Sequence, residues 1–200
     1  MTIKKIQDIL SNISKKHQID FKIKIDEVLS ICDSQIEQLM LLQLYNYFQN
    51  YKDKGDYFPG FSEINFIEHG FYDNYIGFKV KKKQSESSTN PYNTVFREFE
   101  IYPQFETIID EKNYRLDIAI ILNRIKNNEI IDTRKIALEC DGYDYDSSPE
   151  KQKSDYIRTR KLKTNGWKEV FRYSGSEIYR IKEIEEVHSN FEEIIKMLMI

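Results

Sequence analysis

The sequence predicts a mixed α/β domain of the α+β kind, and three observations carry that expectation. A chain of 200 residues is long enough for one sizeable core and is expected to form a single domain over 1–200. Short apolar runs rich in β-branched and aromatic residues fill the middle, as in "VFREFEIYPQFETI", "YRLDIAIIL" and "KIALEC". Apolar residues at helical spacing mark the flanks, at 34–50 and 188–199.

The elements follow in order. Residues 3–16 read as a helix within an N-terminal helical extension, 1–33. Residues 34–50 read as a second helix, with Ile36, Leu39, Met40, Leu42 and Leu44 mostly at helical spacing. The Gly-, Pro- and aromatic-rich stretch 51–62 reads as a loop, 74–83 as a strand, and the polar run 84–93 as another loop. Strands are expected over 95–108, 114–122 and 135–140, with a turn at Asn127-Asn128 between the last two. Ser148-Pro149 opens a helix that Asn165-Gly166 closes. A strand over 168–173 and a C-terminal helix within 183–200 complete the chain.

Composition narrows the class. Hydrophobic content of 40% and charged content of 32% fit a globular protein. No apolar run approaches the ~18 residues of a membrane span, and no signal peptide is read at the N-terminus. Cys32 and Cys140 have no metal or redox spacing and read as reduced thiols, which points to the cytoplasm. The net charge of −3 does not mark a nucleic-acid binder. Its distribution says more: residues 151–182 hold ten Lys and Arg against three acids. Such a run is either a solvated helix face or a phosphate-contacting surface.

Carboxylates then appear where apolar strands should be most hydrophobic. Asp117 interrupts "YRLDIAII", and Glu139 and Asp141 end "IALECDG". A hairpin centred near Asn128 sets Asp117 opposite Glu139, with side chains on one face ~4.5–5.5 Å apart at Cβ. Asp141, two residues on, shares that face. Two like charges ~4 Å apart repel by ~4 kcal/mol at an effective dielectric of ~20, so the group needs a cation, a proton or a basic partner. A hard divalent ion such as Mg²⁺ meets the need with one or two carboxylates.

Seven short motifs stand in order around these acids: Ser34-Gln35-Ile36-Glu37, Pro103-Gln104, Tyr114-Arg115-Leu116-Asp117, Glu139-Cys140-Asp141-Gly142, Asp155-Tyr156-Ile157-Arg158, Gly166-Trp167 and Arg172-Tyr173-Ser174-Gly175-Ser176-Glu177-Ile178. In this order they resemble the PD-(D/E)XK, or restriction-endonuclease-like, superfamily, and within it the very-short-patch-repair-like branch. The resemblance covers roughly 34–180 and implies a core over 34–182 with an insertion around 51–93. The implied fold is a mixed central β-sheet flanked by helices, with the acids at one edge. Two family features are missing: a His a few residues after Asp141-Gly142, and a Lys where Asp141 stands.

The resemblance implies a metal-dependent endonuclease hydrolysing phosphodiester bonds in DNA, with RNA left open. Asp117 and Glu139 would hold Mg²⁺ or Mn²⁺ with the carbonyl of Cys140. Glu37 and Asp141 would complete the catalytic group. Gln104, Arg158, Arg160 and Lys161 would meet the nucleic acid. Other readings stand beside these. Ser34 and Glu37 form a capping box whatever the function. Asp155 and Arg158 suit a simple helix ion pair. Gln104 suits a cap for a bend after Pro103, while Tyr143 and Tyr145 suit base stacking or strand packing. Trp167 suits the core. The alternative to an enzyme is a non-catalytic nucleic-acid-binding or assembly module on the same fold. No membrane partner is expected, and a homodimer is compatible with either reading.

Overall fold

Two pairs of residues in the left-handed region of backbone space organise the sheet. Asn127 and Asn128 have φ of 53° and 65°, and Asp110 and Glu111 have φ of 51° and 62°. Positive φ at both central residues matches the right-handed twist of the flanking strands, and after Gly it is Asn and Asp that tolerate it best. Each pair therefore closes a two-residue hairpin. The first joins β4 (Lys112–Lys126) to β5 (Glu129–Asp141), and the second joins β3 (Phe96–Ile109) to β4.

The structure, a computed structural model, describes residues 24–50, 61–67, 76–82, 95–142, 148–180 and 184–200. The helix expected over 3–16, the loop over 84–93 and both Tyr143 and Tyr145 lie outside these residues. Helices α1 (Lys24–Ser30) and α2 (Gln35–Asn50) precede β1 (Phe61–Ile67) and β2 (Gly77–Lys82). After β5 come α3 (Pro149–Thr164), β6 (Trp167–Ser174), α4 (Gly175–Arg180) and α5 (Ile184–Met199). The strands form one six-stranded sheet in sequential order, antiparallel from β1 to β5 and parallel between β5 and β6. The architecture is thus mixed α/β, with a mixed sheet flanked by helices.

Two elements, α4 and β1, escaped the sequence reading, and α1 was covered only by the helical extension expected over 1–33. α1 and α4 are too short to show a clear period. β1 begins at Phe61, inside the stretch read as a loop, and pairs with β2 on the same sheet. β4 and β5 also run several residues further toward their hairpin than expected, because strand pairing carries the polar residues near the tip along. β2 can approach β3 closely because Gly77 has no Cβ, which would lie 2.2 Å from the carbonyl oxygen of Ile101.

Two apolar layers sandwich the sheet. On one face Val28, Leu41, Leu44, Tyr47, Ile178, Phe191, Ile195 and Leu198 pack on Phe99, Ile101, Ile118, Ile120, Ile136 and Leu138. The C-terminal stripe Phe191, Ile194, Ile195 and Leu198 is buried there, while Glu193 and Lys196 are exposed. On the other face Leu162 of α3 and Trp167 pack with Tyr102, Phe105, Leu116, Ala119, Ile121 and Ala137. Trp167 is a core residue, 2% exposed, with Lys135 5.3 Å from its ring centre.

The two layers exchange strand positions at one level. Tyr102 and Phe105, three residues apart on β3, reach the same layer, as do Leu116 and Ala119 on β4. Strict alternation would put such pairs on opposite faces. Gln104, with φ of 51°, lies between the first pair, and Asp117 between the second. Pro103 contributes by removing a backbone donor from the ladder. Gln104 therefore departs from regular strand conformation just after Pro103, beside Asp117 on the next strand.

Candidate active site

The hairpin register brings the two main acids together. Ile118 faces Leu138 and Ala119 faces Ala137, so one further step sets Asp117 across from Glu139. The ladder ends before that step. In its place Asp117 Oδ2 accepts the backbone N–H of Cys140 at 2.6 Å. A side chain thus substitutes for a strand carbonyl, holding the Asp117 carboxylate against the end of β5.

Gln104 and Glu37 join from the neighbouring elements. Gln104 lies across β4 from Asp117, between the pairs Pro103–Ile118 and Phe105–Leu116. Its Nε2 donates to Glu37 Oε2 at 2.5 Å. Glu37 also forms the capping box. The Ser34 hydroxyl donates to its Oε1 at 2.7 Å and accepts its backbone N–H at 3.2 Å, while Asp33 N–H donates to Oε2 at 2.9 Å. Both readings of Glu37 therefore meet in one side chain: it caps α2 and stands at the bend that positions Asp117. Both of its oxygens already accept hydrogen bonds.

Arginines answer the question of what neutralises the acids. Arg158 of α3 donates to Glu139 Oε1 at 2.9 Å and also to the carbonyl of Arg115. Arg115 in turn pairs with Asp33, beside the α2 cap. Arg172 of β6 donates to Asp141 at 3.1 Å and to Asp155 at 3.2 Å. Parallel pairing sets Arg172 beside Glu139 on the next strand. The simple Asp155–Arg158 helix pair is corrected: each side chain turns toward the sheet and finds a different partner. Lys161 pairs with Asp110 at the β3–β4 turn, 2.9 Å away, and Arg160 is exposed.

Burial still dominates the protonation of the central acids. Glu139 is 5% exposed, and desolvation pushes its carboxyl up to about 7 against the pull of Arg158. Desolvation likewise pushes Asp117 up to about 6; the Cys140 N–H opposes this, and the charge of Glu37 adds to it. The nearby thiols of Cys32 and Cys140 are pushed far up by burial and by these carboxylates. Both thiols therefore stay protonated at neutral pH in the ion-free chain.

Three buried atoms around the acids have no hydrogen-bond partner among the described residues: Gln104 Oε1, Arg158 Nε and Arg172 Nε. Gln104 cannot flip to relieve its oxygen, because that would set oxygen against the Glu37 carboxylate. An orphaned acceptor beside two carboxylates suits a cation or water, and orphaned guanidinium donors suit an anion. Among the described residues no group of three or more His, Cys, Asp or Glu side chains forms a metal cage. A hard ion that keeps its own waters needs only one or two carboxylates, so Asp117 and Glu139 fit Mg²⁺ or Mn²⁺.

Sequence reasoning gave no role to Arg115 or Arg172, although both lie in the motifs. Arg115 stands two residues before Asp117, a same-face spacing that could have flagged it. Arg172 could be found only through the parallel β5–β6 register. No family model, curated protein or solved structure matches this chain.

Proposed function

We propose that the chain is a metal-dependent endonuclease of the restriction-endonuclease-like superfamily, hydrolysing phosphodiester bonds in DNA. One observation carries the reading. The buried carboxylate of Glu139 and the half-buried one of Asp117 come together at the end of a hairpin, with a guanidinium on Glu139 and Gln104 alongside. The element order supports it: a strand bearing Asp, a tight hairpin, a strand bearing Glu, a basic helix and a parallel strand.

Asp117 and Glu139 would hold Mg²⁺ or Mn²⁺, with the carbonyl of Cys140 as a further donor. A bound ion supplies Lewis acidity toward a phosphoryl oxygen and makes water more acidic. The chain supplies the remainder. Gln104 Oε1, buried and without a partner among the described residues, would orient a water molecule. Arg158 offers a forked donor to a phosphate whose charge grows as the bond breaks. Exposed Lys153, Arg160 and Lys163 of α3 line the approach of a polyanion. Asp141 stands where the superfamily has a Lys, and Arg172 restores positive charge at that place.

The second reading is a nucleic-acid-binding or assembly module without catalysis. It is favoured by Arg158, which already neutralises Glu139 in the absence of an ion. Supercoiled plasmid with Mg²⁺ or Mn²⁺ separates the two. Wild type should nick or linearise it and Glu139→Ala should not. Equal cleavage by both proteins refutes the assignment, and salt-sensitive binding without cleavage establishes the second reading. RNA run in parallel decides the nucleic acid.

A further inference from the structure

Arg158 occupies a position that a ligand ion would need cleared. Its guanidinium holds Glu139 Oε1 at 2.9 Å and the Arg115 carbonyl together. A divalent ion on that carboxylate would meet a fixed positive charge one hydrogen bond away. The same guanidinium is incompletely satisfied, since its buried Nε has no partner among the described residues. The side chain is 30% exposed, so a phosphate arriving from solvent can reach it. Phosphate accepts the guanidinium fork through two oxygens, a better match than one carboxylate oxygen and one carbonyl.

We infer that Arg158 is a latch: it keeps the divalent ion from the Asp117–Glu139 pair until a nucleic-acid phosphate draws its guanidinium away, so that ion and phosphate bind cooperatively. This rests on the nuclease reading and adds a regulation to that site. The latch is anchored outside the acids, because the Arg115 carbonyl belongs to the segment tied to Asp33 at the α2 cap. Releasing Arg158 therefore frees Glu139 without breaking the Asp117–Cys140 bond that shapes the pair. The device confines ion loading to the nucleic-acid complex.

Coupling of this kind is reciprocal. Whatever factor phosphate contributes to ion affinity, the ion must contribute to nucleic-acid affinity, typically about 5–150-fold. The test measures both without cleavage. Mn²⁺ binding is followed by paramagnetic resonance, with and without a duplex oligonucleotide whose phosphorothioate linkages keep the backbone charge. Binding of the same labelled duplex is followed by anisotropy, with and without Mn²⁺. Wild type should show matching enhancements in the two experiments. Arg158→Gln should bind Mn²⁺ about tenfold more tightly than wild type in the absence of DNA, and lose most of the enhancement. Arg158→Met, which keeps much of the side chain's bulk but removes the charge, serves if the Gln variant does not fold, and should shift the same way. Mn²⁺ binding that ignores DNA, or variants that bind Mn²⁺ no better than wild type, would overturn the latch while leaving the metal site standing. Failure of Mn²⁺ to bind in every arm, with Glu139→Gln as reference, would overturn the latch and the nuclease reading together.

Discussion

Replacing Glu139 with Gln should leave stability nearly unchanged at pH 5 and raise it at pH 8. The side chain is 5% exposed and its carboxyl is held at about 7, against an ordinary value of 4.5, chiefly by burial. A group whose folded value is raised binds its proton more tightly in the folded chain than in the unfolded one. Its contribution is fully present below the unfolded value and is lost as pH rises through the folded value. From 4.5 to 7 the gap corresponds to about 3 kcal/mol, most of it lost between pH 5 and pH 8. Gln has nearly the same shape, can still accept from Arg158 and never ionises. The variant should therefore melt roughly 6–12 °C above wild type at pH 8, at about 2–4 °C per kcal/mol for a chain of this size. The assay is thermal melting from pH 5 to pH 8 in chelator, so that no ion occupies the acids. Parallel pH profiles, or a variant that falls further below wild type as pH rises, would refute a Glu139 carboxylate whose burial outweighs its pairing with Arg158. Asp117, held at about 6, titrates in an overlapping window. The double variant with Asp117→Asn should gain less than the sum of the single gains, because the two acids titrate as a pair.

Three further outcomes follow from the same geometry. Saturating Mg²⁺ or Mn²⁺, added to protein already bound to duplex DNA, should raise the wild-type melting temperature at pH 8, by about 2.7 kcal/mol of stability at a hundredfold excess over the dissociation constant, and should add nothing to DNA-bound Asp117→Asn. DNA affinity should fall steeply with salt. Charge reversal at the exposed Lys153 and Arg160 should flatten the log–log slope by about 0.9 per lost phosphate contact on a duplex, as binding isotherms at several salt concentrations would show. Deleting residues 190–200 removes the buried Phe191, Ile194, Ile195 and Leu198, each contributing about 1.5–3 kcal/mol of burial. It also strips Tyr47 of its ring contact with Phe191, whose centroids lie 5.8 Å apart. Loss of several degrees in melting temperature or aggregation is expected, and an unchanged melt would show the helix to be dispensable.

The acid pair was legible because hairpin register is a local property. Two adjacent Asn residues tolerate the left-handed conformation, they close the turn, and counting back along both strands reaches Asp117 and Glu139. The capping box at Ser34 and Glu37 was legible for the same reason, since its partners lie three residues apart. The C-terminal stripe showed itself through helical period alone. β1 and the short helices α1 and α4 were not legible: they have little pattern of their own, and pairing or packing with distant segments decides them. Gln104 was visible as a bend, but its φ of 51° and its reach to Glu37, 67 residues away, were not.

By itself the sequence determined the element types, the apolar runs and which carboxylates stand opposite each other, because these depend on neighbours within a turn or a hairpin. Only the tertiary structure decided how those carboxylates are neutralised. Arg158 arrives from a helix and Arg172 from a parallel strand, and neither helix docking nor parallel register is encoded in local spacing. Burial was decided there as well. The raised proton affinity of Asp117 and Glu139 arises from the layers packed around them, and desolvation depends on everything that excludes water from a side chain.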